Sequence, residues 1–177
     1  MSITFPSVTI PWSSLRRTLA GRRCRVVPML AFSAAVIAGP PHITVRPMPA
    51  TSETAFELEV EHHTEPGQLS VTGRAEGVRA GRRVSVPLTI VRKDAAHFTV
   101  TRQWEKKAAW VLVFSAEQGP KGSHGTAEAI ISVEASGNVQ DVEYMKPVVR
   151  KDDQQLAATT AGVDRALRAL GLVTAAR

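Results

Sequence analysis

A chain of 177 residues has room for one domain of ordinary size behind a leader, and its single cysteine excludes an intrachain disulfide framework. The formal charge of +6 belongs to one end: the first 52 residues carry Arg16, Arg17, Arg22, Arg23, Arg25 and Arg46 and no acid. The remaining 125 residues carry sixteen basic and sixteen acidic side chains, a balance that argues against nucleic acid, which needs a net basic face.

Residues 1–38 read as a leader. The basic stretch Leu15–Arg25 runs into an uninterrupted apolar segment, Val26–Ala38. Its thirteen residues suit a signal-peptide core and fall short of the roughly 20 that span a bilayer. Val36 and Ala38 stand at the −3 and −1 positions of a cut after Ala38, and Ser33-Ala34-Ala35 offers a second site. The expectation is an exported bacterial protein, periplasmic or secreted, with no transmembrane helix once the leader is removed. Arg16-Arg17-Thr18-Leu19 hints at twin-arginine export, and an acid-free Arg-bearing leader also suits organellar transit. In a third reading the basic N-terminus stays on an intracellular protein and meets an acidic partner. Cys24 precedes the apolar core, so lipidation is not indicated, and cleavage would leave a mature domain with no thiol for catalysis or metal binding.

Gly39–Ser52 is proline-rich and reads as a linker or an edge segment, with Ile43–Val45 pairing to a sheet. Period-two alternation then dominates residues 53–150. Phe56, Leu58 and Val60 alternate with Glu57, Glu59 and Glu61; Leu69 and Val71 follow. Val84, Val86, Leu88 and Ile90 share one face of a further strand, and Phe98 and Val100 of another. Trp110–Phe114 is apolar on both faces, which marks a central strand covered on both sides. Ala129, Ile131 and Val133 lead through Ser136-Gly137-Asn138, a tight hairpin, into Val139–Met145. Turn signals lie at Glu65–Gln68, at glycines 73, 77 and 81, and at Gly119–Gly122. About seven or eight short strands at this spacing predict an all-β domain, an antiparallel β-sandwich or open barrel.

Residues 151–177 break the pattern. Asp152 or Asp153 can cap a helix reaching about Leu170, with Gly171 as its stop. Leu156, Thr160, Val163, Leu167 and Leu170 form one apolar stripe, predicted to cover the sandwich or else to serve a homodimer or partner helix. In architecture alone the chain resembles the small immunoglobulin-like domains that bacteria export. That resemblance implies a sandwich, not an activity.

The chemistry-bearing residues are sparse. His62, His63, His97 and His124, with Met145, could supply a copper or zinc site, which makes a periplasmic metal-binding domain the alternative reading. Adjacent strand positions point to opposite faces, so His62 and His63 cannot serve one site together without a bulge. The acidic stripe Glu57, Glu59, Glu61 is expected to be solvated and paired to arginines, with Arg74, Arg79, Arg82 and Arg83 as natural partners. There is no G-x-S-x-G, no H-E-x-x-H and no GK[ST], and Ser123 beside His124 in sequence is not a catalytic pair. No enzyme and no cofactor are expected. The leading expectation is a non-catalytic binding or scaffolding domain meeting an envelope component. Its contacts would come from Lys121, His124, Arg82 and Arg83, on loops expected together at one end, Arg79–Arg83 and Gly119–Gly125, and from Trp104 if that ring is exposed, core packing being the default for the aromatics.

Overall fold

The computed structural model describes residues 39–173 except 50, 63–67, 121–122 and 150–152. The predicted leader, His63, Lys121 and the Asp152 cap therefore lie outside the described residues. Strands make up most of the fold. They are β1 (His42–Pro47), β2 (Thr54–Glu61), β3 (Leu69–Arg79), β4 (Arg82–Pro87), β5 (Ile90–Arg92), β6 (His97–Thr101), β7 (Trp110–Gln118), β8 (Gly125–Val133) and β9 (Val139–Tyr144). One helix, α1 (Asp153–Ala169), closes the chain. The first sheet has the order β1-β2-β6-β5 and the second β4-β3-β7-β8-β9, with every neighbouring pair antiparallel.

The alternation that writes these strands also builds the core. Ile43, Val45, Phe56, Leu58, Val60, Phe98 and Val100 face inward from the first sheet. They meet Ala75, Trp110, Leu112, Phe114, Ala129, Ile131 and Val133 from the second, with the Phe56 and Phe114 rings edge to face at 5.9 Å. The two sheets pack as a sandwich. On the far side of β7 and β8, Val111, Val113 and Ile130 are buried against Val163 and Leu167 of α1. The doubly apolar Trp110–Phe114 is thus central and covered on both faces, as its sequence requires. No helix among the described residues is long and apolar enough to cross a membrane.

Three expectations change. Val84–Ile90 is not one strand. The chain leaves the second sheet after Pro87, which has no N–H to donate, and enters the first sheet at Ile90. At the crossing, the Gln103 side chain substitutes for a ladder partner: it accepts from the Thr89 N–H and donates to the Thr89 carbonyl, both at 2.8 Å. Gly73 and Gly77 are not turns but lie inside β3. A Cβ at Gly77 would sit 2.7–3.0 Å from Trp110 ring atoms, so glycine there makes room for the indole. The turn itself is Ala80-Gly81, whose φ of 48° and 75° suit a two-residue hairpin. Finally, α1 seats a face rotated from the predicted stripe. Thr159, Gly162, Val163 and Leu167 are buried, whereas Leu156 is 51% exposed and Thr160 is exposed. The apolar face of α1 is used within the chain.

Candidate binding end of the sandwich

β3 runs antiparallel to β7, with Leu69 opposite Gln118 and Glu76 opposite Val111. The Arg79–Arg83 hairpin therefore lies at the end of the sandwich where β7 begins, and Gly119–Gly125 lies at the opposite end. The two loops expected to work together do not share a surface.

The end holding Gly119–Gly125 also holds the described histidines of the metal reading, but spread over both sheets. His97 Nδ1 is 2.9 Å from both Asp94 carboxylate oxygens, and its Nε2 is 3.9 Å from Glu59 Oε1. His62 Nε2 is 3.1 Å from the Ala95 carbonyl oxygen. These two gather at one turn of the first sheet. His124 sits against Gly119 on the second sheet, and Met145 packs beneath α1. Among the described residues no three His, Cys, Asp or Glu side chains are grouped to hold a metal ion. The Asp94 carboxylate accepts the N–H groups of Ala96 and His97 and faces the His97 ring; the first of these bonds is the main cause of a pKa held below the ordinary 3.8.

The arginines pair differently from expectation, because β2 and the β3–β4 hairpin belong to different sheets. Glu59 takes Arg46 of β1 at 3.1 Å. Glu76, nearly buried on the outer face of the second sheet, takes Arg74 at 2.9 Å, Arg83 at 3.2 Å and the Ser85 hydroxyl at 3.1 Å. Arg83 also reaches Asp164 of α1 at 2.7 Å, so it is a structural tie and not a free contact residue. Its pKa is raised, the bonds and charges of Glu76 and Asp164 outweighing an opposing loss of solvation that is the largest single contribution. Arg82 is exposed beside the turn. Trp104 is no protruding contact either. Only 6% exposed, it packs against Phe56 at 6.0 Å between ring centroids and belongs to the core.

What Trp104 does is anchor a loop. Residues 102–109, between β6 and β7, contain no glycine or proline and still reverse the chain. The reversal is made at Lys107, whose φ of 67° is unusual for a residue with a side chain. Arg102 holds its guanidinium 6.0 Å from the Trp104 ring, and the Trp110 indole N–H donates to the Glu105 carbonyl at 3.2 Å. With the β1–β2 loop and the β8–β9 hairpin, this loop frames two adjoining clefts of about 470 and 270 Å³ that share Arg102 and Lys106. Thr51, Ser52, Glu53 and Thr101 line the first; Lys107, Glu134 and Ser136 line the second. Glu105 is held by Arg79 at 3.1 Å, and Glu134 accepts from the Ser136 hydroxyl at 3.0 Å. Lys106 and Lys107 form no ion pair among the described residues. Chemically, this end offers two ammonium groups and a braced guanidinium beside hydroxyls, with Glu53 at the rim. In the sequence, Arg102, Lys106 and Lys107 show only as a basic stretch around a tryptophan with no turn-forming residue.

No family model matches the chain, and neither a curated protein nor a solved structure matches it.

Proposed function

We propose that this protein is an exported, non-catalytic binding domain of the bacterial cell envelope, and that its working surface is the loop end around Arg102, Lys106 and Lys107. The case for export is the Arg-rich, acid-free segment ahead of thirteen apolar residues and a small-residue cut site. An immunoglobulin-like topology is supported by strand order. β1-β2-β6-β5 facing β4-β3-β7-β8 follows the A-B-E-D and C′-C-F-G arrangement of that fold, to which β9 and α1 are additions.

The observation that carries the binding reading is the pair of adjoining clefts sharing Arg102 and Lys106. Two neighbouring acids, Glu105 and Glu134, are already engaged inside the protein, whereas Lys106 and Lys107 are not. A partner segment bearing carboxylates complements that arrangement, and its encounter rate and salt dependence would follow from charge. The test uses the full chain and a hexaglutamate peptide as probe. Binding should weaken with added salt and fall at least about tenfold in a Lys106→Glu/Lys107→Glu variant, while Arg82→Glu, on the neighbouring hairpin, changes it less. Unchanged affinity in the double variant would remove this end as the working surface. Export is tested separately: a mass from the envelope fraction matching loss of residues 1–38 supports it, and a full-length mass confined to the cytosol removes it.

A further inference from the structure

α1 rests on the second sheet through two unlike halves. Its C-terminal half is apolar: Val163 and Leu167 are fully buried against Val111, Val113 and Ile130. Two ion pairs flank that contact, Arg83–Asp164 at 2.7 Å and Arg165–Glu143 at 2.6 Å. The N-terminal half places no large apolar side chain on the sheet, and Leu156 stands in solvent. Its contacts are polar. The Thr159 hydroxyl donates to Glu128 of β8, and Gln155 Nε2 donates to the same carboxylate oxygen at 3.4 Å.

The sheet beneath that half is polar as well. Glu128 is 1% exposed, Ser115 lies directly opposite it in the β7–β8 register, and Thr126 precedes it on the same face. The hydroxyls of Ser115 and Thr126 are buried and have no hydrogen-bond partner. Burying a hydroxyl without a partner is unfavourable, and water would relieve it. Hydrogen bonds broken by lifting the helix are largely replaced by bonds to water, whereas lifting Val163 and Leu167 exposes apolar surface with no such replacement. Gly162 stands at the boundary between the halves, a weak point for helix propagation. On the other side, Val148 is fixed to Thr126 by reciprocal backbone bonds at 2.8 and 3.0 Å.

We propose that the first half of α1, Asp153–Ala161, is a cover that lifts from the sheet while the second half, from Gly162 on, stays seated, opening a polar trough of Ser115, Thr126 and Glu128 to solvent. The cover is on a face of the second sheet, separate from the loop end, and does not depend on that end's function.

Native-state hydrogen exchange on the full chain tests it. Amides of residues 157–161 should be at least about hundredfold less protected than those of 163–169. Their exchange should be insensitive to low denaturant, as a local opening is. Equal protection in the two halves would overturn the proposal. Simple fraying of a helix end would give the same gradient, so a second variant separates the two. Thr126→Val keeps the shape of the side chain and removes an orphan hydroxyl from the trough. It should raise the protection of residues 157–161 severalfold and leave 163–169 unchanged. Protection of 157–161 that does not respond to Thr126→Val would leave only fraying and sink the cover.

Discussion

Gly77 carries more of this fold than its size suggests. It lies in β3 under the Trp110 indole, which is 1% exposed, and a methyl group there would come within 2.7–3.0 Å of ring atoms that cannot bend away. Gly77→Ala should therefore destabilise by about 1–3 kcal/mol through overpacking. That exceeds the roughly 0.4–1 kcal/mol a glycine replacement can gain from the unfolded chain. Gly81 has open space, so Gly81→Ala there meets only the strain of φ 75° and should cost about 1–2 kcal/mol. Urea titration of both variants, followed by tryptophan fluorescence in a Trp12→Phe/Trp104→Phe background that leaves Trp110 as the reporter, checks them: only Gly77→Ala should shift the emission of the folded state. At the β5–β6 turn, Asp94 has its pKa depressed below 3.8 by the Ala96 N–H first, then by His97. A depressed carboxylate contributes stability that is complete above its unfolded value and is lost as pH falls through its folded value. Melting curves of the native chain and Asp94→Ala should accordingly differ near neutral pH and converge in strong acid. A gap that persists there would mean that Asp94 acts through something other than its charge. At this scale the sequence was least informative. Arg79 finds Glu105 at a separation of 26 residues and Arg83 finds Asp164 at 81, and no local pattern announces either pairing. For Trp104 the charged neighbours leave two readings, core packing by default and a contact residue if exposed, and the structure has the first. Its burial depends on Phe56, which arrives from another strand.

Elements were more legible than residues, for a physical reason. A strand with one wet and one dry face must alternate, so Phe56-Leu58-Val60 identifies its strand and its inward side. A strand covered twice need not alternate: Trp110–Phe114 does not, whereas β8, buried at every position, carries Thr126, Glu128 and Ser132 on its α1 face. The same logic explains why β4 and β5 read as a single strand. Val84, Val86, Leu88 and Ile90 all face the core although β4 and β5 lie in different sheets, so parity continues unbroken through the crossing and only Pro87 marks it. For α1, hydrophobic spacing favoured Leu156 and Thr160. The buried carboxylate of Glu128 instead requires hydrogen-bonding side chains, and Gln155 and Thr159 turn toward it. What holds the helix down can be separated by substitution. Leu167→Ala removes a fully buried side chain and should cost about 2–5 kcal/mol. Asp164→Ala breaks a pair that is about two-fifths exposed on both sides and should cost less than about 1 kcal/mol. Denaturant midpoints that reversed this order would show the ion pairs, and not the apolar seat, to be the anchor of α1.

For the whole molecule, the boundary that matters is between residues 38 and 42. The proline-rich segment after the apolar run could have been a linker, and β1 shows how it is used. Pro41, Ile43 and Val45 are buried, and the Val45 N–H, on the free edge of the first sheet, donates to the Tyr144 hydroxyl of β9 at 3.1 Å. His42 stacks on the same tyrosine at 6.5 Å. β1 thereby joins the two sheets along one seam while its own edge is blunted by prolines on either side. Two truncations distinguish a dispensable leader from an indispensable first strand. A chain beginning at Gly39 loses five of the arginines, drops from a formal charge of +6 to +1, and keeps every strand of the described residues. It should melt within a few degrees of the full-length chain and elute much earlier from a cation exchanger. A chain beginning at Thr51 also loses Ile43, Val45 and the tie to Tyr144. Removing two buried aliphatic side chains at about 1.5–3 kcal/mol each, with the β1 ladder besides, takes a large share of the roughly 5–15 kcal/mol of an ordinary domain, so this form should be strongly destabilised and prone to aggregate. If the first truncation already collapsed, the acid-free N-terminal segment would be part of the folded protein and the case for a cleavable leader would fail with it. If both melted alike, β1 would be an ornament on the edge, and the closure of the sandwich would have to be sought in β9 alone.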